Sequence, residues 1–287
     1  DAGQSMIAEL LRRHELSEKD LAALISTGYG RRTLTAATKQ VTEITCHARG
    51  AHELCPQART VLDIGGQDSK YISLKNGKVV DFQMNKICAA GTGSFVEEQA
   101  ARMGIPLAEF GQLALSAEHP AALGERCTVF IETAIASAAA EGVPQADIAA
   151  GLCHAIVQNY LHKVVGSKPV GQHIVLQGGV DYNPGIVAAF QAAYGSRVRV
   201  SPVFSISGAY GAALLAQEAV GDTSSQFVGF DSPAQAAEDS RSAETQRTLR
   251  SLDNPIRMLL GRPTTCFWKA TRGNATLAKR RWACPLC

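Results

Sequence analysis

Two isolated cysteines are the residues of this chain best suited to metal chemistry. Cys88 opens the glycine-rich run CAAGTGS, and Cys127 follows 39 residues later in the run RCTVF. Neither belongs to a local CxxC pair, and two thiolates are too few for a four-thiolate iron–sulfur site. Two copies of the chain would supply four, which predicts a symmetric dimer that holds one cluster between its subunits. The alternative is that both cysteines are buried, inert thiols.

A glycine turn after a predicted strand indicates a nucleotide site. The segment VLDIGGQDSK, residues 61–70, is a buried strand that delivers Asp63 and then the turn at Gly65 and Gly66. Glycine backbone can approach a ligand closely, and its N–H groups suit phosphate oxygens. A carboxylate beside such a cradle suits Mg²⁺. The alternative is a tight β-hairpin whose glycines only permit the turn.

A second unit of the same kind lies at residues 175–183, VLQGGVDYN, where a strand ends at Gly178 and Gly179. Backbone without side chains could seat the flat ring of adenosine there. A third glycine set, SGAYGAA, opens the last helix; it predicts close helix–sheet packing, and Gly208 is a further candidate for nucleotide contact. The chain contains neither a P-loop nor a GxGxxG pattern, and GTG at 91–93 is too short to count. Two separated turns instead indicate the split cleft of actin-like ATPases.

Composition narrows the class of protein. The chain has 287 residues, 46% of them hydrophobic, and no apolar run long enough for a membrane span. Eight cysteines are too few for a secreted disulfide scaffold, which favours a reducing, cytoplasmic setting. Residues 241–287 hold ten Lys or Arg against two acids, within a net charge of +2. The body lacks stacking aromatics or a helix-turn-helix pattern, so we expect no nucleic-acid partner.

Periodicity and turn signals predict an α/β domain with a mixed sheet. The expected strands lie at 23–27, 60–64, 70–75, 78–83, 173–177 and 197–200, and KNGK at 75–78 predicts a hairpin between two of them. The expected helices lie at 4–14, 17–24, 42–54, 93–103, 106–115, 128–141, 145–165, 184–194 and 207–219. We expect one domain over residues 1–219. Residues 220–287 are predicted to be a poorly structured basic tail or the broken start of a further module.

Six strings, in order, resemble one known family. They are TGYGR (27–31), TEITCHARGA (42–51), DIGGQDSK (63–70), NKICAAGTGSF (85–95), RCTVF (126–130) and LQGGVDYNPG (176–185). The chain resembles the ATP-dependent activators of 2-hydroxyacyl-CoA dehydratases, a family that includes the BadF/BadG/BcrA/BcrD-type ATPase subunits of benzoyl-CoA reductase. The resemblance implies the actin/hexokinase/heat-shock-ATPase fold, a ribonuclease H-like architecture.

The resemblance also implies a function. Family members bind ATP and Mg²⁺ in each subunit and work as dimers around one [4Fe-4S] cluster. They send a low-potential electron to an acyl-CoA dehydratase or reductase component. Matched residue by residue, the cluster ligands are Cys88 and Cys127. The second phosphate motif, with Asp63 and Gln67 as its catalytic members, comprises Asp63, Gly65, Gly66, Gln67 and Asp68. The adenosine motif comprises Gly178, Gly179 and Val180.

Two features depart from the family pattern. Family members begin with a first phosphate motif similar to Asp-x-Gly-Ser-Thr, and nothing before Thr27 matches it. This predicts a fold that is incomplete at its N-terminus. Asp181 stands where a small residue is usual; it either adds a charge near the nucleotide or points to solvent. Two other functions stay open, a small-molecule kinase of the actin-like superfamily and a non-catalytic fragment. A zinc site at the tail cysteines Cys284 and Cys287 lacks a second pair.

Overall fold

The described part of the chain forms one mixed α/β unit. The structure is a computed structural model that describes residues 2–85, 91–124 and 128–220, with Phe227, Gly229 and Phe230. The chain divides into two compact units, Asp1–Gln235 and Ala236–Cys287, and every described residue belongs to the first. The predicted boundary at 219/220 stays a prediction. None of the helices in the described ranges is long and apolar enough to cross a membrane.

The helices and strands follow the predicted order closely. Within the described residues the α-helices are α1 Ala2–Arg13, α2 Glu43–Leu54, α3 Gly93–Arg102, α4 Leu107–Leu115, α5 Thr128–Ala140, α6 Gln145–Tyr160, α7 Pro184–Tyr194 and α8 Ser207–Val220. The strands are β1 Ile25–Ser26, β2 Lys39–Gln40, β3 Thr60–Ile64, β4 Ser69–Lys75, β5 Lys78–Met84, β6 Ile174–Gln177 and β7 Val198–Val200. One prediction was wrong, the helix at 17–24.

Local hydrogen bonds explain that difference. The Ser17 amide and hydroxyl both donate to the Asp20 carboxylate, at 2.7 Å each, which closes a single 3₁₀ turn over Glu18–Asp20. Leu21 then has extended backbone, so the turn cannot continue as an α-helix. Side chains that satisfy nearby backbone groups compete with helix formation in this way. A smaller difference lies in the predicted helix 145–165: its α-helical part ends at Tyr160, and the chain continues as a π-helical turn, Leu161–Val165.

The main sheet has five strands in the order β5-β4-β3-β6-β7. The three strands β3, β4 and β5 form an antiparallel meander, whereas β6 and β7 run parallel to β3. Asn76 and Gly77 both have positive φ, 51° and 75°, as a two-residue type I′ hairpin requires, so the predicted hairpin is confirmed. β1 and β2 pair separately in a short parallel ribbon.

Helices cover both faces of this sheet. Along β3 the side chains alternate between two apolar clusters, because successive residues of a strand point to opposite faces. Val61 packs with Ile44 and Ala48 of α2. Leu62 and Ile64 instead pack in the larger cluster with α3 to α7, which includes the fully buried Phe110, Ile131, Ile156 and Phe190. The sheet is therefore the middle layer of three.

α8 lies directly against α2 in the outer layer. A Cβ atom at Gly211 would lie 1.8 Å from the backbone oxygen of Cys46, and one at Gly50 would lie 3.2 Å from the oxygen of Ser207. The two helices can approach this closely only because their contact positions lack side chains. The glycine set of α8 therefore serves helix–helix packing, and the predicted helix–sheet role was wrong.

This contact predicts a large effect of one methyl group. We expect Gly211→Ala to destabilise the domain by about 2 kcal/mol or more, because the new Cβ would collide with rigid backbone and push the helices apart. Ala213→Ser, which adds one atom on the exposed side of the same helix, should change stability by less than about 0.5 kcal/mol. Urea unfolding followed by circular dichroism measures both. Equal stability of the two variants would contradict the packing argument.

Candidate functional site

Two glycine turns leave the sheet at the same edge. β3 and β6 are parallel neighbours, with Asp63 opposite Gln177, so their carboxyl ends lie side by side. Gly178 has φ of 114°, and a Cβ there would lie 2.2 Å from the backbone oxygen of Ile64. Only glycine allows both the backbone conformation and this approach. The turn at Gly65 and Gly66 and the turn at Gly178 and Gly179 are therefore in contact.

The start of α3 holds the first turn in place. The amide of Gly93 donates to the oxygen of Gly65 at 2.9 Å, and the amide of Ser94 donates to the oxygen of Gly66 at 2.7 Å. Within the described residues, the amides of Gly66 and Gln67 donate to no protein acceptor. An anion at this point would meet free N–H groups beside a helix N-terminus, which is a favourable electrostatic environment.

A cleft of about 600 Å³ opens beside these turns. Its size is that of a typical small-ligand pocket. Tyr182, which is largely exposed, packs edge-to-face on Phe204 with ring centroids 4.7 Å apart. Apolar side chains and bare backbone dominate the wall, which consists of Gly93, Val96, Leu107, Ala108, Gly179, Val180, Tyr182, Asn183 and Ile186.

Three carboxylates surround one buried ammonium group next to the first turn. The Nζ atom of Lys70 lies 2.9 Å from Asp68, 3.1 Å from Asp63 and 3.7 Å from Glu43. Burial alone would lower the pKa of Lys70, but the negative charges of these three acids raise it above the ordinary value. Lys70 therefore stays charged, and the cluster keeps a net negative charge that suits a cation better than a bare phosphate.

Asp181 is buried within the second turn, so the alternative that it points to solvent was wrong. Its side chain is 7% exposed, and neither carboxyl oxygen has a hydrogen-bond partner among the described residues. Burial and, to a lesser extent, the charge of Asp63 raise the pKa of Asp181 to about 8. A buried carboxyl without partners avoids the cost of desolvating a charge by holding its proton.

The structure brings most of the predicted nucleotide residues together. Both motifs lie at the sheet edge described above: Asp63, Gly65, Gly66, Gln67 and Asp68 at the first turn, and Gly178, Gly179 and Val180 at the second. Gly208 does not line the cleft; it lies against the ring of His47, where a Cβ would be 3.4 Å from Cε1. Cys88 and Cys127 lie outside the described residues.

Several residues at the site were missed by sequence reasoning. Gly93 lines the cleft and touches both turns, since a Cβ there would be 3.2 Å from Val180 and 3.3 Å from the oxygen of Gly65. It belongs to the GTG run, which is too short to form a motif by itself. Lys70 and Glu43 were present in the strings DIGGQDSK and TEITCHARGA, but only the folded chain shows that they meet. Tyr182 gave no signal beyond its place after the second turn.

Comparison with known proteins assigns the family. A sequence profile of the BadF/BadG/BcrA/BcrD ATPase family matches residues 3–216. The chain belongs to this family. The (R)-2-hydroxyglutaryl-CoA dehydratase activating ATPase of Acidaminococcus fermentans is 36% identical over 219 residues, which are 73% of this chain and 81% of that protein.

Two solved structures show the fold of the BadF/BadG/BcrA/BcrD ATPase family. The crystal structure of the A. fermentans (R)-2-hydroxyglutaryl-CoA dehydratase component A has a TM-score of 0.71 and 35% identity, covering 74% of this chain and 82% of that one. The activator of the 2-hydroxyisocaproyl-CoA dehydratase from Clostridium difficile, with bound ADPNP, has a TM-score of 0.69 and 34% identity, covering 75% and 81%. The predicted actin-like fold is confirmed.

The raised pKa of Asp181 predicts a specific pH dependence. In the unfolded chain this carboxyl titrates near pH 4, whereas in the folded chain it titrates at about 8. Between these values the folded state binds the extra proton, so the free energy of unfolding falls as pH rises. Asp181→Asn removes this loss. Its stability relative to the original protein should increase by about 2.5 kcal/mol between pH 5 and pH 7.

Denaturant unfolding of both proteins at several pH values measures that difference. Asp181→Ala, which also removes the ionisable group, should give the same pH trend even if the lost contacts lower its stability at every pH. A stability difference that does not change with pH would mean that Asp181 titrates normally in the folded protein.

Proposed function

We propose that this chain is an ATP-dependent activator that couples nucleotide hydrolysis to electron transfer toward an acyl-CoA dehydratase or reductase component. Membership of an ATPase family supports the nucleotide part of this proposal. The observation that carries it is the contact between the two glycine turns, through Gly178 and the oxygen of Ile64, beside a cleft of nucleotide size. That contact supports a phosphate cradle at the first turn next to a side-chain-free seat for adenosine at the second.

The lining of the cleft supports one direction of binding for an adenosine nucleotide. The free amides of Gly66 and Gln67 would receive the phosphates, with the N-terminus of α3 nearby. The ribose and base would lie along Gly179 and Val180, where the wall is mainly apolar. The C. difficile activator with bound ADPNP has the same fold, which supports a nucleotide in this chain as well.

Mg²⁺ fits the chemistry of the acids near the first turn. In nucleotide sites this ion keeps several waters and uses only one or two carboxylates together with phosphate oxygens. The described residues contain no group of three or more His, Cys, Asp or Glu arranged to hold a metal by themselves. Asp63 and Asp68, which share one ammonium group, can supply the smaller contribution. Gln67, exposed on the turn, is the residue we propose to orient the attacking water.

The cluster part of the proposal rests on Cys88 and Cys127. Two thiolates from each of two chains make the four ligands of a [4Fe-4S] cluster at a homodimer interface. When bound, this group would supply the low-potential electron. Cys127 directly precedes α5, which begins at Thr128. The positive end of a helix dipole next to the thiolate would stabilise its negative charge.

The partner is proposed from the relatives. The A. fermentans protein is named as the activating ATPase of an (R)-2-hydroxyglutaryl-CoA dehydratase, and the C. difficile protein as the activator of a 2-hydroxyisocaproyl-CoA dehydratase. Both names describe activation of a dehydratase that acts on a 2-hydroxyacyl-CoA. We therefore propose a partner of this class in a reducing compartment.

Nucleotide hydrolysis provides the first test. The purified chain should hydrolyse Mg²⁺-ATP, and Asp63→Asn should lower kcat by about 100-fold, because it removes a charge next to the reacting phosphate. Asp81→Asn is the matched control, since Asp81 lies on exposed β5 and pairs with Lys168. Phosphate release measures both variants. An Asp63→Asn protein as active as the control would remove Asp63 from the mechanism, and a protein that phosphorylates a small molecule instead would favour a kinase.

Iron content provides the second test. After anaerobic reconstitution, the dimer should hold about four irons, and Cys88→Ser or Cys127→Ser should abolish both the iron and the paramagnetic signal of the reduced protein. Cys153→Ser should retain them. Burial raises the pKa of Cys153 to about 12, so this thiol is a poor source of thiolate. An original protein that stays colourless and free of iron would refute the cluster but leave the ATPase test unaffected.

A further inference from the structure

The Asp63 carboxylate is held at both of its oxygens. Oδ2 accepts from the Lys70 ammonium at 3.1 Å, and Oδ1 accepts from the Gln177 side-chain amide at 3.4 Å. Lys70 also contacts two other carboxylates, so its ammonium group attracts Asp63 without determining the plane of the carboxylate. A directional hydrogen bond at Oδ1 supplies the orientation that a shared point charge cannot.

Gln177 is itself held in one amide orientation. Its side chain is fully buried, and Nε2 lies 2.7 Å from Nδ1 of His47. Its Oε1 atom has no partner among the described residues. The unpaired Oε1 costs free energy in either case, so it does not select an orientation of the amide. The two contacts of Nε2, with His47 and with Asp63, determine which way the amide faces. The opposite orientation would turn Oε1 toward Asp63 and place two acceptors against each other.

His47 sets that orientation from the neighbouring helix. Its Nδ1 can accept from Gln177 only when the ring is neutral and carries its proton on Nε2. The Ser207 hydroxyl, 3.2 Å from the same Nδ1, and the close backbone of Gly208 hold the ring where α8 begins. His47 Nδ1 lies 3.9 Å from Asp63, too far for a direct hydrogen bond. His47 therefore reaches Asp63 through Gln177.

We infer that Gln177 and His47 are positioning residues that fix the Asp63 carboxylate for ATP hydrolysis. This inference rests on the proposed function and adds to it two residues that do not touch the nucleotide cleft. A carboxylate that can rotate still attracts Mg²⁺-ATP but spends less time in the productive orientation. Loss of either residue should therefore lower kcat more than it raises KM.

Steady-state ATP hydrolysis by a small set of variants tests the inference. Gln177→Leu and His47→Leu should each lower kcat about tenfold or more, with KM for ATP changed less than threefold. His47→Asn should recover most of kcat, because the amide oxygen of asparagine can replace Nδ1 as the acceptor. The double variant His47→Leu/Gln177→Leu should be no slower than Gln177→Leu, since His47 acts only through Gln177.

His52→Leu is the matched control. His52 is the other histidine of α2, and it packs against the hairpin at Gly77 instead of the site. It should leave kcat unchanged. The inference is overturned if His47→Asn is as slow as His47→Leu, if KM carries the whole effect, or if the His52→Leu protein is as slow as the others.

A second measurement separates this inference from the proposed function. If the original protein does not hydrolyse ATP, the proposed function fails, and urea unfolding still reports on the contact. Asp63→Asn and Gln177→Leu should then shift the unfolding midpoint by less together than the sum of their separate shifts. Additive shifts would show that the two side chains do not interact and would reject the positioning role directly.

Discussion

The contact between the end of β3 and the turn after β6 is the constraint on which the site depends. Parallel pairing puts Asp63 opposite Gln177, and the chain must then turn away from two adjacent strand ends in a very small space. A Cβ at Gly178 would overlap the oxygen of Ile64, so a glycine there is a structural requirement. The second turn lines the cleft directly through Gly179, and the first turn lies next to it through Gly93, whose amide donates to the oxygen of Gly65.

Charge is the second constraint at the carboxyl ends of β3 and β6. The ammonium group of Lys70 and the carboxylate of Asp63 are buried together, and the partly exposed carboxylates of Asp68 and Glu43 complete the cluster. Removing one partner from such a cluster usually costs more than the pairing contributes, because a charge is then left in a medium of low polarity. Asp181, without a cationic partner of this kind, holds its proton instead. Neighbouring carboxyl groups thus differ in charge for a local reason.

Local sequence signals were sufficient for much of the fold but for less of the site. Alternating or continuous apolar runs bounded by glycine predicted β3 and β6 correctly, and the pair Asn76-Gly77 specified the hairpin. The burial of Asp181 could not be predicted, because it depends on what packs above the turn and not on neighbouring residues. The string that holds Gly208 is equally consistent with contact to a ligand, a sheet or a helix, and only the folded chain shows that this glycine lies against His47.

Helix α2 takes part in the packing against the sheet, in the contact with α8 and in the environment of Asp63. Its residues Ile44, Ala48 and Ala51 recur at helical spacing and pack against the sheet. Gly50 and the backbone of Cys46 contact α8 on a second face.

A third face of α2 points toward the strand ends. Glu43 and His47 lie one turn apart on it; Glu43 contacts Lys70, and His47 contacts Gln177. A shift of α2 along its axis would therefore disturb the sheet contact, the α8 contact and the Asp63 environment together. Most residues of the string TEITCHARGA lie on one of these three faces, and each face has a different partner.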